Sequence, residues 1–506
     1  MPSPLSPAGF PSLAAALHGT GVAVVCGGRA YTWQEFEYRC RKLAGALTSA
    51  GLQPGDRVAY LSYNCHQLLE AYFAVPMIGA VLAPLNVRLA PREIRAILNH
   101  SEVYALFYDT LFEAAVRELS SDCPALKFTA ALGDECERML DAAKPAAAST
   151  WQHIDEHAAA ALFYTSGSAA DPKGVLLSHR ALYLHAVDVA SLYSAAQARV
   201  DLHAVPMFHA NAWGHAHASV LLGIPQVMVP KFEADAMLHL IEQHRATEVN
   251  VVPTMAHALI KAGPRAVRDL RSVRHVQVGG AAAPARLMSG LRQLFPEARV
   301  FEGYGLTEAG SAVATSLPGS ANPTGADGLW PISGVEVRVV DGVMQDVQKD
   351  GSSTGEIVVR TDHMMIGYDR DPVATAETLA GGWLHTGDLG VWREDGSFQI
   401  VDRIKEIIIS GAENISCAEV ERAISEHPDV AECAVVGAAH SKWGEVPAAV
   451  VVLKPGSVLT EANLFEFLNG RLGRYKMPRI LQFTSESLPR SGSGKIRKQE
   501  IRARFV

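Results

Sequence analysis

The sequence predicts an α/β protein with more than one domain. A chain of 506 residues exceeds what a single hydrophobic core supports. Apolar runs rich in β-branched residues alternate with helical patterns over residues 57–280, which is typical of parallel sheets covered by helices. Between Gly325 and Val401 the pattern changes to short strands separated by Gly and Asp turns, which indicates a β subdomain.

The N-terminal part repeats a rhythm of strand, helix and strand. RVAYLSY at 57–63 predicts a strand, CHQLLEAYFAVPMIG a following helix, and AVLAPL a second strand. The rhythm recurs at 180–230 and at 238–280, where TEVNVVPT and VRHVQVGG predict buried parallel strands that end in turns. We therefore predict two α/β subdomains before the β subdomain.

The last part of the chain predicts a compact unit of about 100 residues, large enough to fold separately. Ser416 and Glu419 have the spacing of a capping box ahead of the helical pattern EVERAISEH. AECAVVGA and PAAVVVL predict strands, and a helix is expected near 460–473. We predict a large domain over residues 1–402 and a small α+β domain over residues 403–506.

Composition narrows the classes of function. The formal net charge is −8 without a long block of one sign, so neither nucleic acid nor an anionic membrane surface is expected as a partner. The seven cysteines contain no Cys-x-x-Cys pair, which indicates reduced thiols. No signal-peptide pattern is seen, and the apolar stretch at 71–85 is shorter than the roughly 20 residues of a membrane span. We expect a cytoplasmic protein.

Residues 164–174, YTSGSAADPKG, follow the strand-like run AAAALFY and pose a chemical question. Such residues form ordinary surface turns, but hydroxyls, free backbone N–H groups and a lysine after a strand can also cradle a polyphosphate. The loop is not a Walker A loop, because Lys173 follows a proline and does not precede a Ser or Thr at a helix start. The loop alone leaves both interpretations open.

Three other polar stretches follow in order: FEGYGLTE at 301–308, GGWLHTGDLG at 381–390 and PRSGSGKIRK at 489–498. The first comes just after a predicted strand, where α/β sheets bind ligands. Each stretch taken singly is more typical of a turn or a solvated tail than of a site. A purely structural role does not explain why all of these stretches occur in this order in one chain.

With VDRIKEIIISGAENIS at 401–416, these motifs resemble the acyl-activating adenylate-forming superfamily, which includes acyl-CoA synthetases, peptide-synthetase adenylation domains and luciferases. The likeness runs from near Ala15 to the C-terminus. It implies that YTSGSAADPKG is the ATP phosphate loop. It also implies ATP, Mg²⁺ and coenzyme A as cofactors, and a small C-terminal domain that is mobile about a hinge at Lys405.

The resemblance implies nucleotide contacts along the whole chain. Loop residues would wrap the β and γ phosphates, Tyr304 would stack on adenine, and Asp388, assisted by Arg403, would accept hydrogen bonds from both ribose hydroxyls. The residues expected at ATP or AMP are Thr165, Ser166, Gly167, Ser168, Lys173, Gly280, Ala281, Ala282, Glu302, Gly303, Tyr304, Gly305, Thr307, Asp388, Arg403 and Lys495.

The catalytic residues that the resemblance implies are Lys495, His209, Thr307 and Glu308. Glu308 would hold Mg²⁺, a hard cation that prefers oxygen ligands. Lys495 would bridge the acid and the α-phosphate during adenylation. Rotation of the C-terminal domain would then withdraw it from the site before a thiol attacks. The CoA contacts that it implies are Arg88, Gly411, Trp443 and Tyr475.

The acid pocket implied by the resemblance consists of His209, Asn211, Trp213, Gly280 and Tyr304. Amino-acid-activating relatives carry an aspartate where this chain has His209, so an amino acid is disfavoured. Small and apolar residues favour a medium or long fatty acid, or a bulky aryl or alicyclic acid, because a second carboxylate would lack a partner. A metal role for His209 with His215 and His217 is an alternative, disfavoured because no acidic residue is near in sequence.

Several positions depart from the pattern of the superfamily. Ala169 and Ala170 stand where Thr-Gly is usual, and Met477 stands where certain relatives have an arginine. Two other functions stay open: loading of a carrier-protein phosphopantetheine, and nucleotide sensing without catalysis. The second is disfavoured because Lys495, Glu308 and Asp388 are all present. The sequence also leaves a homodimer open.

Overall fold

The structure is a computed structural model that describes residues 3–505 apart from 166–172, 193–198, 264–267, 282, 317–327, 411–412, 441–442, 470, 475 and 491–494. The chain divides into two compact units. The first is formed by Met1–Glu336 with Val359–Leu384, and the second by Val337–Val358 with His385–Val506. The proposed boundary between residues 402 and 403, with its hinge, stays a prediction.

Helices are distributed over both units, and none in the described residues is long and apolar enough to cross a membrane. In chain order they are α1 (Phe10–His18), α2 (Trp33–Ser49), α3 (His66–Met77), α4 (Pro91–His100), α5 (Glu113–Ser120), α6 (Asp134–Ala142), α7 (His179–Ser191), α8 (Ala210–Trp213), α9 (His215–Leu221), α10 (Ala234–His244), α11 (Pro253–Ala262), α12 (Ala285–Leu294), α13 (Pro372–Thr378), α14 (Cys417–Ser425), α15 (Glu461–Leu468) and α16 (Lys498–Arg502).

Strands of the described residues form four sheets. In chain order they are β1 (Val22–Cys26), β2 (Arg29–Thr32), β3 (Arg57–Leu61), β4 (Val81–Pro84), β5 (Val103–Tyr108), β6 (Phe128–Ala131), β7 (Ala159–Thr165), β8 (Lys173–Ser178), β9 (Asp201–His203), β10 (Gln226–Met228), β11 (Glu248–Val251), β12 (His275–Val278), β13 (Arg299–Tyr304), β14 (Ala314–Thr315), β15 (Trp330–Pro331), β16 (Val335–Val340), β17 (Thr354–Thr361), β18 (Gly367–Tyr368), β19 (Leu384–Trp392), β20 (Phe398–Arg403), β21 (Ile407–Ser410), β22 (Glu413–Ser416), β23 (Val430–His440), β24 (Gly444–Leu453) and β25 (Ile480–Thr484).

The first unit contains the two large sheets. A nine-stranded sheet has the order β15-β14-β13-β12-β11-β9-β10-β1-β2, and a seven-stranded sheet has the order β18-β8-β7-β4-β3-β5-β6. Strands β9 to β13 pair in parallel, as do β3, β4, β5 and β6 along the second sheet. The α/β prediction is confirmed, and so are the buried parallel strands predicted from TEVNVVPT and VRHVQVGG, which are β11 and β12.

The predicted β subdomain is confirmed in part. Strands β16, β17, β19 and β20 form a four-stranded sheet. Strand β18, from the same stretch of sequence, instead pairs antiparallel with β8 at the edge of the seven-stranded sheet. Alternation within a strand shows its two faces but not its partner, so this exchange was not predictable from the local pattern.

The end of the chain follows its prediction closely. A five-stranded sheet has the order β22-β21-β24-β23, with β25 beside β24. Ser416 caps α14, and its hydroxyl accepts a hydrogen bond from the Glu419 backbone N–H at 3.1 Å. The second half of the predicted capping box is not seen, because the carboxylate of Glu419 accepts hydrogen bonds from Lys476 at 2.7 Å. The helix predicted near 460–473 is α15, which ends at Leu468.

A buried ion-pair cluster joins three helices of the first unit. Arg39 of α2 lies between Glu70 of α3 and Glu137 of α6. Its Nε is 2.6 Å from Glu70 Oε1, and its Nη1 and Nη2 are each 2.7 Å from an oxygen of Glu137. The side chain of Glu70 is only 1% exposed. Burial raises the pKa of Glu70 and Arg39 opposes this effect, so the carboxylate depends on its partner to stay ionised.

We expect Arg39→Met to lower the free energy of unfolding of this unit by about 3–5 kcal/mol, because Glu70 would be left buried without its cation. The measurement is urea denaturation followed by tryptophan fluorescence. Arg117→Met is the matched control, since the Arg117–Glu113 pair is 79% and 52% exposed and exposed pairs contribute about 0–1 kcal/mol. Equal stability of the two variants would contradict the prediction.

Candidate active site

Strands β7 and β8 form the two sides of the loop singled out above. They pair antiparallel, with Thr165 opposite Lys173, so the structure holds both ends of the loop together. Ser166, Gly167 and Ser168 lie outside the described residues, as do Ala169 and Ala170.

The ends of β12 and β13 bring together two of the predicted nucleotide segments. These strands are parallel neighbours, so Gly280 and Ala281, which follow β12, lie at the same edge as Tyr304, which ends β13. Gly280 has φ +81°, a conformation that favours glycine. The third residue of this group, Ala282, lies outside the described residues.

Two further glycines at this edge lie close to neighbouring atoms, Gly303 to a side chain and Gly305 to backbone. A Cβ on Gly303 would lie 2.2 Å from Gln277 Nε2, and one on Gly305 would lie 1.5 Å from the carbonyl oxygen of Ser311. The Glu302 carboxylate accepts a hydrogen bond from the Ala283 N–H at 3.0 Å. This contact ties the segment after β12 to β13.

Trp213 connects the predicted acid pocket to the same edge. A Cβ on Gly279 would lie 3.0 Å from Trp213 Cη2, and one on Gly280 would lie 3.8 Å from Cζ2. Trp213 therefore packs directly over these two glycines. Of the predicted pocket residues, the structure brings Trp213 and Gly280 into contact and places Tyr304 at the neighbouring strand end. Asn211 lies in the same turn, between Ala210 and Ala212.

The turn that carries Trp213 has an unusual backbone. Ala210, Ala212 and Trp213 all have positive φ, at 40°, 45° and 58°. Non-glycine residues in this region are strained by about 1–3 kcal/mol each, and such residues cluster at ligand sites. The Ser311 hydroxyl donates a hydrogen bond to the Ala210 carbonyl at 3.0 Å and helps to hold the turn.

His209 begins this turn after a clamped segment. The Asn64 side chain donates to the Val205 carbonyl at 3.0 Å and accepts from the Met207 N–H at 2.8 Å. The Tyr72 hydroxyl donates to the Met207 carbonyl at 2.5 Å. The ring of His209 lies 4.7 Å from that of Phe208, measured between centroids.

His215 and His217 belong to the core beneath the turn. His217 packs edge-on against the rings of Tyr72 and Phe73, and burial lowers its pKa to about 4. His215 Nδ1 lies 3.8 Å from Asp201 Oδ2, so an acidic neighbour exists that the sequence spacing did not indicate. Among the described residues, no group of three or more His, Cys, Asp or Glu side chains could hold a metal ion.

Glu308 lies on a 3₁₀ turn, Thr307–Ala309, that follows β13. The hydroxyl of Tyr368 donates a hydrogen bond to Glu308 Oε1 at 3.0 Å. The ammonium nitrogen of Lys173 lies 4.6 Å from the centroid of the Tyr368 ring, a cation–π distance. Tyr368 thus links a predicted phosphate residue to the predicted metal ligand.

Two further contacts support the Glu308 turn. The Met365 N–H donates to the Glu308 carbonyl at 2.8 Å. His363 Nδ1 donates to the Ala309 carbonyl at 2.7 Å, and its Nε2 lies 3.2 Å from Asp188 Oδ2. The segment from His363 to Tyr368 therefore holds both the backbone and the side chain of this turn.

In the second unit, Asp388 and Arg403 are cross-strand partners on β19 and β20. Arg403 Nε is 3.1 Å from Asp388 Oδ1, and the Asp388 side chain is 8% exposed while that of Arg403 is 58% exposed. The ion pair fixes the orientation of the Asp388 carboxylate, and the Arg403 guanidinium stays exposed to solvent. This arrangement suits acceptance of hydrogen bonds from hydroxyl groups.

The remaining predicted residues are scattered over the chain. Arg88 is exposed next to Asn86, whose side chain accepts the Arg88 N–H at 3.0 Å. Trp443 is 39% exposed in the second unit. Gly411 and Tyr475 lie outside the described residues, as does the segment just before Lys495. Met477 packs against the core of the second unit.

Two family profiles match the chain. That of the AMP-binding enzymes matches residues 13–369, and that of the AMP-binding enzyme C-terminal domain matches residues 419–495. The chain belongs to the AMP-binding enzyme family. The edge formed by β12 and β13 and the β7–β8 hairpin lie within the first match, and Lys495 ends the second.

Relatives of this AMP-binding enzyme match nearly end to end. A 2-methylpropanoate–CoA ligase of Humulus lupulus is 34% identical, over 99% of this chain and 95% of its own length. A long-chain-fatty-acid–CoA ligase of Thermus thermophilus is 35% identical over 94% and 90%. Among solved structures, the amide bond synthetase McbA of Marinactinospora thermotolerans is 30% identical with a TM-score of 0.88, over 99% of both chains.

Sequence reasoning missed Tyr368, Asn64 and His363, which support the site of this AMP-binding enzyme. Tyr368 lies 60 residues from Glu308 along the chain, and Asn64 lies 141 residues from Val205. No local periodicity indicates such contacts. The one available signal was Gly367-Tyr368 ahead of Asp371-Pro372, an aromatic residue between a glycine and a helix start.

We expect Tyr368→Phe to slow acid-dependent ATP–pyrophosphate exchange by roughly 10- to 100-fold, because a hydrogen bond to a charged group is worth about 1.5–3 kcal/mol. The phenyl ring keeps the contact with Lys173, so the variant isolates the bond to Glu308. Tyr104→Phe, which removes a hydroxyl bonded to the Ala50 carbonyl, is the control. A wild-type rate for Tyr368→Phe would show that Glu308 does not depend on this donor.

Proposed function

We propose that this AMP-binding enzyme is an acid–thiol ligase. It adenylates an apolar carboxylic acid with ATP and transfers the acyl group to coenzyme A, releasing pyrophosphate and AMP. The observation that carries the proposal is the packing of Trp213 over Gly279 and Gly280. In this proposal the acid binds against this apolar surface, beside the strand ends expected to bind the nucleotide, and its carboxylate meets the α-phosphate there.

The first half-reaction joins two anions, so positioning and charge stabilisation are its main demands. The acid carboxylate attacks the α-phosphorus and pyrophosphate leaves. In this proposal, the loop from Thr165 to Lys173 binds the β and γ phosphates, and Lys495 bridges the carboxylate and the α-phosphate. Thr307 lies beside Glu308 on the turn after β13 and completes the phosphate contacts.

Glu308 is suited to hold Mg²⁺, the usual metal of AMP-binding CoA ligases. The residue is partly exposed and one of its carboxylate oxygens is oriented by Tyr368, and hard cations prefer carboxylate oxygens as ligands. When bound, Mg²⁺ neutralises charge on the phosphates. The residues of this chain position that charge: Tyr368 fixes the carboxylate, and His363 and Met365 fix the turn.

The second half-reaction needs a path for the thiol. We infer that the domain of residues 403–506 rotates about Lys405, which withdraws Lys495 and admits coenzyme A. Arg88 and Trp443 would contact the nucleotide part of coenzyme A, and Gly411 and Tyr475 its pantetheine arm. His209, at the start of the strained turn, would separate the acid from the thiol path.

The acid is proposed to be a monocarboxylate with a fatty, aryl or alicyclic body. Trp213 and the two glycines beneath it offer apolar surface without a charge to pair a second carboxylate. The two CoA ligases above are named for apolar monocarboxylates. A cytoplasmic location and a homodimer stay predictions.

The acceptor is tested separately from the acid. The purified full chain is given ATP, Mg²⁺ and a panel of acids, and acid-dependent pyrophosphate release is measured. For each acid that supports pyrophosphate release, the reaction is then repeated with coenzyme A, a phosphopantetheinyl carrier protein or a simple amine as acceptor. Thioester formation with coenzyme A alone supports the proposal. Transfer only to the carrier, or only to an amine as the resemblance to an amide bond synthetase allows, would replace it.

We expect Asp388→Asn to raise the KM for ATP and the Kd for AMP by roughly 10- to 100-fold, because the neutral amide accepts weaker hydrogen bonds from ribose hydroxyls. AMP binding is measured by calorimetry. Asp395→Asn, in the turn between the same two strands, is the control. Unchanged affinity for both nucleotides would remove Asp388 from the site.

Lys495→Ala should lose adenylation by at least about 10² to 10³, because a cation at the α-phosphate stabilises charge that develops in the transition state. ATP binding should be nearly unchanged. Supplied with presynthesised acyl-adenylate, the variant should form the thioester at close to the wild-type rate. Loss of both half-reactions together would mean that Lys495 is structural or that one conformation serves both steps, and either result would contradict the two-state mechanism.

A further inference from the structure

Lys498 forms a partly buried ionic junction in the second unit that the proposed mechanism does not use. Its ammonium lies 2.8 Å from Glu406 Oε2 and 2.9 Å from Glu421 Oε1, and its side chain is 18% exposed. Burial opposes the charged form, but Glu421 and Glu406 raise the pKa of Lys498 above its ordinary value. The ammonium is therefore held as a cation between two carboxylates.

The two carboxylates belong to different elements. Glu421 lies on α14, and its Oε1 also accepts the Val435 N–H of β23 at 2.7 Å. Glu406 follows Lys405 directly, and its carbonyl accepts a hydrogen bond from Cys417 Sγ at 2.8 Å. Lys498 consequently ties the beginning of α16 to α14 and to the residue beside the proposed hinge.

Lys498 is also close in sequence to the proposed catalytic lysine. It lies three residues after Lys495 and opens α16. The segment has a second anchor, because the Arg497 N–H donates to the Pro489 carbonyl at 2.8 Å, and Ile501 is buried against β23 and β24. Of these three contacts, that of Lys498 is the ionic one.

We propose that Lys498 is a positioning residue for Lys495. Its ion pairs with Glu406 and Glu421 fix the segment that carries Lys495 to α14 and to the residue after the hinge. This inference rests on the proposed function, in which Lys495 acts during adenylation and Lys405 is the pivot.

The Lys498 junction differs from the contacts of Asp402, because those contacts cross the proposed pivot at Lys405. Asp402 precedes the pivot, and its Oδ2 accepts the Ser416 hydroxyl at 2.8 Å and the Ala418 N–H at 3.0 Å. A rotation at Lys405 separates Asp402 from these partners, whereas Glu406, Glu421 and Lys498 all lie beyond the pivot. The Lys498 junction can therefore persist through the rotation and carry Lys495 as part of one rigid body.

The test is Lys498→Met in the full chain, assayed in each half-reaction. We expect acid-dependent pyrophosphate release to fall about 10- to 100-fold, since a displacement of about 1 Å at a reacting group can cost this much. Thioester formation from presynthesised acyl-adenylate should stay within about twofold of the wild type, because Lys495 is withdrawn in that step. Hydrogen exchange of residues 489–500, followed by mass spectrometry, should become faster.

Two variants serve as controls. Lys498→Arg keeps the charge and should recover much of the adenylation rate. Arg502 lies on the same helix as Lys498, is exposed, and pairs with Glu445 of β24. Arg502→Met should change neither half-reaction. Because Lys498→Met leaves two carboxylates unpaired, thermal melting is measured first. Should that variant unfold, the E421Q/K498M double variant carries the test, since it removes the more deeply buried anion as well.

The outcomes separate this inference from the proposed function. A folded variant with wild-type adenylation and unchanged exchange would overturn the positioning role. Equal loss of both half-reactions in a folded variant would also overturn it, because the effect would not pass through Lys495. If the wild-type chain released no pyrophosphate with any acid, the proposed function would fall and this inference with it.

Discussion

The parallel alignment of β11, β12 and β13 is the constraint on which the candidate site depends. Parallel neighbours end at the same edge, so each connection must return over the sheet through a helix, here α11 and α12. The segments after β12 and at the end of β13 therefore meet without any further interaction. Once they meet, the chain passes so close to the backbone of Ser311 that Gly305 has no room for a Cβ, and a Cβ at Gly303 would displace the Gln277 side chain. The same edge then supports Trp213 and the Glu308 turn.

The elements could be predicted from the sequence to the extent that their signals are local. Strand runs, helix periodicity and the Ser416 cap are short-range patterns, and the structure reproduces them with small changes at the ends. The pairing of β18 with β8 is not a local feature. Gly367 and Tyr368 lie between strands of the four-stranded sheet in sequence but pair with a strand of the seven-stranded sheet. The motifs located Glu308 and Lys173, but the ring and hydroxyl that connect them come from Tyr368, far along the chain. Only the folded chain shows that contact.

Buried and partly buried charges lie where several elements of each unit meet. In the first unit Arg39 connects three helices, and in the second unit Lys498 connects α16 with α14 and with Glu406. Apolar residues of similar size could often pack as stably as such pairs, so their stability alone does not explain them. They do require one geometry, because each cation is held between two anions.

The left-handed turn at α8 shows how strain and packing act together. Alanine at Ala210 and Ala212 has a positive φ that glycine would adopt at lower cost, yet glycine would also leave the turn free to adopt other conformations. Asn64 holds the chain before the turn through Met207, and Ser311 holds the first residue of the turn, Ala210. Because these contacts fix the turn, the strained residues need not favour it by themselves. The result is a Trp213 ring held on Gly279 and Gly280, the surface against which the acid is proposed to bind.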